Sequence, residues 1–158
     1  MNRISHSLST RRLQRTYVYL SAIAILTGSV IYILFRTSEP IFFSWIRAVG
    51  LGHWLHTARD FAQLQYIDLP PWMIYSLPNG LWAFAYATII TGIWSGSRSW
   101  LKYIWLTSIP LLVVGFELMQ YPGIIYGTFC MQDLIFGIAG MFIGIMIMSN
   151  LLKHKNHE

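Results

Sequence analysis

Apolar residues along this 158-residue chain gather into four long runs separated by short polar breaks. The runs extend from Tyr17 to Phe35, from about Trp72 to Trp94, from Leu101 to about Tyr121 and from about Gln132 to Leu152. Crossing the hydrocarbon of a bilayer takes about 20 apolar residues, and each run is long enough. Peptide groups in lipid must satisfy one another within the segment, so each run predicts an α-helix. The two-residue alternation of a β-barrel strand is absent. The pattern predicts an all-α polytopic membrane protein with four transmembrane helices in one membrane domain, 1–158. Its parts are a basic tail (1–16), helices at 17–36, 72–95, 101–121 and 132–152, a connection at 37–71 and a C-terminal tail (153–158). The ends, 1–12 and 153–158, are expected to fray.

The connection is the one long one. Between Ile41 and Leu69, Arg47, Gly50, Gly52, His53 and His56 interrupt any fifth span. Its apolar residues recur at helical spacing: Phe42, Trp45, Ile46 and Val49, then Trp54, Leu55, Ala58, Phe61 and Ala62. This predicts two short amphipathic helices joined at Gly50–Gly52, lying in the membrane interface or capping the bundle. Leu69-Pro70-Pro71 ends the segment.

Composition sharpens the class. Hydrophobic residues make up 55% of the chain and charged residues 11%, against about 25% charged in soluble domains. A soluble enzyme, a nucleic-acid binder and a disordered tail are thereby excluded. The net charge of +5 reflects Lys and Arg at the ends of apolar runs, which sets orientation. With the N-terminus inside, Arg3, Arg11, Arg12, Arg15, Arg98, Lys102, Lys153 and Lys155 face the cytoplasm, and Arg36, Arg47 and Arg59 face outward. Both termini are therefore expected in the cytoplasm, with the amphipathic segment outside between helices 1 and 2. The first run exceeds the 7–15 residues of a signal-peptide core and no small-x-small cleavage site follows it, so it reads as an uncleaved anchor. Cys130 is the only cysteine, which leaves no intramolecular disulfide.

Ionisable residues at membrane depth are costly and mark function by default. Glu117 and Gln120, three apart, share a face near the outer end of the third helix. Asp133 stands near the outer start of the fourth helix, and Asn79 near that of the second. Asp133 heads a stripe with Gly137, Gly140 and Gly144. Asn79 heads another with Ala83, Ala87 and Thr91. Small residues let a neighbouring backbone approach, so both stripes point inward. Pro110 is expected to bend the third helix. Asn79, Glu117, Gln120 and Asp133 are thus predicted to line an outer-leaflet, ligand-binding pocket. The plainer reading is that they lock the bundle: Asp133 favours a helix N-terminus on dipole grounds, and Glu117 pairs with Arg36, Arg47 or Arg59.

His53, His56 and Asp60 fall along one helical face. Two histidines and a carboxylate suit a transition metal, but the wetted face of an interfacial helix is the preferred reading, and no metal or cofactor is assigned. Cys130 has no histidine near it in sequence, Ser76 has no nucleophile elbow, and neither a phosphate loop nor HExxH occurs.

In the third and fourth runs the chain resembles the VanZ-like family of small bacterial membrane proteins. The family pattern is a Glu, a Gln three residues on, a short outer loop, an Asp, an Asn four residues later, and glycines. Here Glu117, Gln120, Asp133 and Gly140 match, Gly137 stands in the place of the Asn, and no Arg occurs between Tyr121 and Met131. The stretch Ser76-Leu77-Pro78-Asn79-Gly80-Leu81-Trp82 looks like a signature of bacterial relatives. The resemblance implies a protein of the bacterial cell envelope in the cytoplasmic membrane. The name-giving member is associated with teicoplanin resistance; most are of unknown activity.

Three functions fit. The first is binding of a polar lipid headgroup or envelope component in the outer pocket, with the bilayer as surroundings and no nucleic acid. The second is an intramembrane enzyme acting on a lipid-linked substrate, with Glu117 and Asp133 as acid and base. The third is a small structural subunit of a membrane complex.

Overall fold

The structure, a computed structural model, describes residues 2–36, 41–64, 69–125 and 127–156. The side chains of residues 2–12 and 154–156, and those of Ile41, Phe42 and Gln63, are not among them. The side chains of the terminal cations in the orientation count (Arg3, Arg11, Arg12, Lys155), and residues 37–40 and 65–68 of the connection, therefore lie outside what is described.

Seven helices form among the described residues, and no strand: α1 (Asn2–Phe35), α2 (Ile41–Ala48), α3 (Gly52–Leu64), α4 (Pro71–Tyr75), α5 (Leu77–Trp94), α6 (Leu101–Gln120) and α7 (Met131–Asn156). Three segments are long and apolar enough to cross a membrane: Leu13–Phe35, Leu101–Gln120 and Met131–Lys153. That makes the chain a multi-pass helical membrane protein. Four such helices were expected. α5 falls short because Pro78, Asn79 and Gly80 occupy its first turn. α1 starts at Asn2 and α7 reaches Asn156. At 1.5 Å per residue α1 is about 51 Å long, longer than the roughly 30 Å hydrocarbon core, so its basic end projects beyond the apolar segment.

The second run is divided. A helix opens at Pro71, whose missing N–H costs nothing in a first turn. Pro78 then cannot donate to the carbonyl four residues back and crowds it. The helix breaks at Ser76, whose N–H still reaches the Trp72 carbonyl at 3.0 Å, and restarts as α5. α6, by contrast, runs unbroken through Pro110.

α5 is the centre of the bundle. Its most extensive contacts are with α7 and then α1, and Ala83, Ala85, Ala87, Thr88, Ile90 and Thr91 are all buried. Glycine sets the spacing to α7. A Cβ at Gly140 would collide with the Gly80 carbonyl oxygen, and one at Gly144 would lie 2.7 Å from the Phe84 carbonyl oxygen. Only hydrogen at those positions lets the backbones touch. The expected stripe on α7 splits: Gly140 and Gly144 face α5, whereas Gly137 meets Val113 of α6. On the far side of α5, Ser21 donates to the Ala85 carbonyl at 3.1 Å, and Gly28 and Gly92 give way to the Trp82 and Tyr17 rings.

α6 is attached more lightly. Ile109 is its one buried residue. The Tyr86 and Ser108 hydroxyls, 2.7 Å apart, and the stacked Trp94 and Trp105 rings hold it to α5.

α2 and α3 form the expected helical pair. The Gly50 N–H bonds to the Arg47 carbonyl and the Leu51 N–H to the Ile46 carbonyl, which is the Schellman pattern; Gly50 supplies its φ of +82°. Arg59 lies over the Phe43 ring and donates to the Arg36 carbonyl, fastening the pair to the end of α1. Trp45, Val49, Trp54, Phe61 and Leu64 are exposed, presenting an apolar face away from the bundle.

Candidate functional site

At the end of the bundle where α1 and α6 finish and α5 and α7 begin, the helices enclose a cavity of about 570 Å³. Asn79, Glu117, Gln120 and Asp133 all line it. Each arrives by a separate local device. Asn79 sits one turn past the Ser76 break. Glu117 and Gln120 lie in the last turn of α6, which a second Schellman closure at Gly123 terminates: the Gly123 N–H reaches the Gln120 carbonyl and the Ile124 N–H the Met119 carbonyl. The following loop returns over Gln120 so closely that a Cβ at Gly127 would stand 2.5 Å from its amide nitrogen. Asp133 lies in the first turn of α7, where a negative charge suits the helix dipole.

Asp133 accepts a 2.6 Å hydrogen bond from the Ser76 hydroxyl. The serine is 1% exposed, so the bond joins α7 to the break between α4 and α5. The Asp133 carboxylate and the Cys130 backbone amide are the groups that act electrostatically on Glu117. Glu117 Oε2 is buried without a hydrogen-bond partner among the described residues, although buried acceptors normally find one.

Sequence reading missed half of this wall. Arg36 lines the cavity with Tyr32 and Tyr75; its guanidinium lies 4.6 Å from the Tyr32 ring centroid and 5.8 Å from that of Tyr75. Arg36 is the one cation among the described residues lining the cavity. The sequence presents it as a topology signal at a helix end and as one of three candidate ion-pair partners for Glu117, not as a cavity residue. Ser76 carries no hydrogen-bonding role in the sequence; its nearness to Pro78 is the signal that could have marked a helix break there.

His53, His56 and Asp60 are exposed on α3. Among the described residues, no three His, Cys, Asp or Glu side chains converge to hold a metal ion. Consecutive polar turns of a surface helix produce the same spacing.

What the cavity can do follows from its chemistry. Two carboxylates, one guanidinium, three side-chain amides and four hydroxyls line it, in a volume within the roughly 300–1,000 Å³ of small-molecule sites. No protein-family model, curated protein or solved structure matches this chain.

Proposed function

We propose that this protein crosses a bacterial cytoplasmic membrane four times and binds a polar lipid headgroup or envelope component in its outer-facing cavity. α5 is the fourth span in this reading: it carries no charge over 18 residues and is packed between two segments that are long and apolar enough to cross. An even number of spans keeps both termini on the side richer in Lys and Arg. The envelope setting rests on the likeness of Glu117, Gln120, Asp133 and Gly140 to the VanZ-like pattern.

The observation that carries the binding reading is the meeting of four polar side chains, from three separate helices, on one cavity wall. The bundle-lock alternative accounts for Asp133, which holds Ser76. It leaves one oxygen of Glu117 unexplained, because a lock has partners and Glu117 Oε2 has none among the described residues. The test is the double variant Glu117→Gln, Asp133→Asn. It is expected to insert and fold, to lose copurifying polar lipid, and to alter the host's sensitivity to envelope antibiotics. Normal folding with unchanged lipid content and unchanged sensitivity rules the reading out.

Orientation has its own test. Cys130 borders the cavity, so a membrane-impermeant maleimide should label it from outside in intact cells. In a Cys130→Ser, Ser97→Cys variant, labelling should require permeabilisation. The reverse result inverts the topology.

The enzymatic alternative draws on the electrostatic proximity of Glu117 and Asp133, an arrangement suited to an acid and a base acting on one bond. Turnover of a lipid-linked substrate that either single amide variant abolishes would establish it.

A further inference from the structure

A second hollow of about 280 Å³ lies beside the cavity, between α5, α6 and α7. Asn79, Trp82, Phe116 and Glu117 belong to both and form the neck between them. Beyond the neck the walls are mainly apolar, with Ala83, Leu112, Val113 and the bare backbone of Gly137. Leu112 and Phe116 are exposed on its rim, so it is an open groove along which a hydrocarbon chain can lie.

We propose that the occupant is a single-chain amphiphile of the lysophospholipid class, with its chain in the hollow, a free hydroxyl at the neck and its phosphate in the polar chamber. The proposal rests on the binding reading above and adds the ligand's chemistry. Three observations place its three parts. The hollow is mainly apolar, which suits the chain. Glu117 Oε2, buried and unpartnered at the neck, is an acceptor that needs a donor. The hydroxyl next to the single acyl ester of a lysolipid supplies one at that height; the second ester of a diacyl lipid offers only another acceptor. Asn79, also at the neck, has an amide N–H for the remaining ester carbonyl. Past the neck, Arg36 is the one cation among the described lining residues, and guanidinium is well matched to phosphate.

The experiment uses the full-length protein in nanodiscs and native mass spectrometry. The probes are 1-oleoyl-lysophosphatidylglycerol below its micellar concentration, the dioleoyl counterpart, and glycerol 3-phosphate as the chainless head. The lysolipid is expected to bind about tenfold more tightly than either other probe. Glu117→Gln should bring lyso and diacyl affinities within about threefold of each other, because a neutral amide serves a hydroxyl and an ester alike. Leu112→Trp, on the exposed side of the hollow, should weaken lysolipid binding about tenfold by filling the chain's path. Equal affinity for lyso and diacyl lipid in the parent protein overturns this inference and leaves headgroup binding standing. So does chainless glycerol 3-phosphate binding as tightly as the lysolipid. Failure of all three probes overturns both.

Discussion

Gly140→Ala is expected to destabilise the bundle by about 3 kcal/mol, the upper part of the usual overpacking cost. Its new methyl group would overlap the Gly80 carbonyl oxygen and lie 2.9 Å from the carbonyl carbon. A flexible side chain can rotate away from such a clash. Here the obstacle is backbone in the first turn of α5, so α5 and α7 must separate, and the neighbouring contact between Gly144 and Phe84 loosens with them. Gly115→Ala is the matched control. Nothing lies within 4 Å of a Cβ there, and alanine is the better helix former by about 1 kcal/mol, so that variant should be neutral or more stable. Unfolding of both proteins in mixed micelles reads the difference. Equal stability of the two variants would mean that the helices do not approach as described.

Asp133→Ala is expected to cost about 2 kcal/mol, the worth of a hydrogen bond to a charged group. It strips the almost fully buried Ser76 hydroxyl of its acceptor and removes a favourable charge from the first turn of α7. Ser76→Ala should cost about half as much, since the half-buried carboxylate left behind borders the cavity and can be solvated. The two changes should not add. In a double-mutant cycle the pair should retain a coupling of about 1 kcal/mol or more. Hydrogen exchange should quicken around the Ser76 break in both single variants, because the bond spans that break. A coupling near zero would show that the two groups do not meet.

Both predictions concern contacts whose ingredients can be read along the chain and whose partners cannot. The glycines of α7 and the small residues of α5 appear in sequence as helical stripes, and from them close packing follows. That Gly140 meets Gly80 whereas Gly137 faces Val113 of α6 depends on the rotation and crossing of three helices, which a stripe leaves open. The amphipathic pair α2 and α3 was legible because its apolar spacing and the Gly50–Gly52 joint are local. Its attachment through Arg59 to the end of α1 was not, because 23 residues separate the two. The break at Ser76 was also missed: hydropathy averages over a window, whereas Pro78 acts on a single carbonyl.

The chain alone determines that this is an all-helical membrane protein, because lipid admits few ways to satisfy a backbone and the apolar runs are long and nearly uncharged. It also identifies Asn79, Glu117, Gln120 and Asp133 as the polar residues that such surroundings make conspicuous. Tertiary structure alone decides that these four border one cavity with Arg36, that Asp133 is engaged by Ser76 while one oxygen of Glu117 has no partner among the described residues, and that a mainly apolar hollow adjoins the cavity. The reason is physical. Hydrophobicity and hydrogen-bond demand belong to each residue and its near neighbours, whereas a cavity is the space that several helices leave between them, fixed only when their packing is.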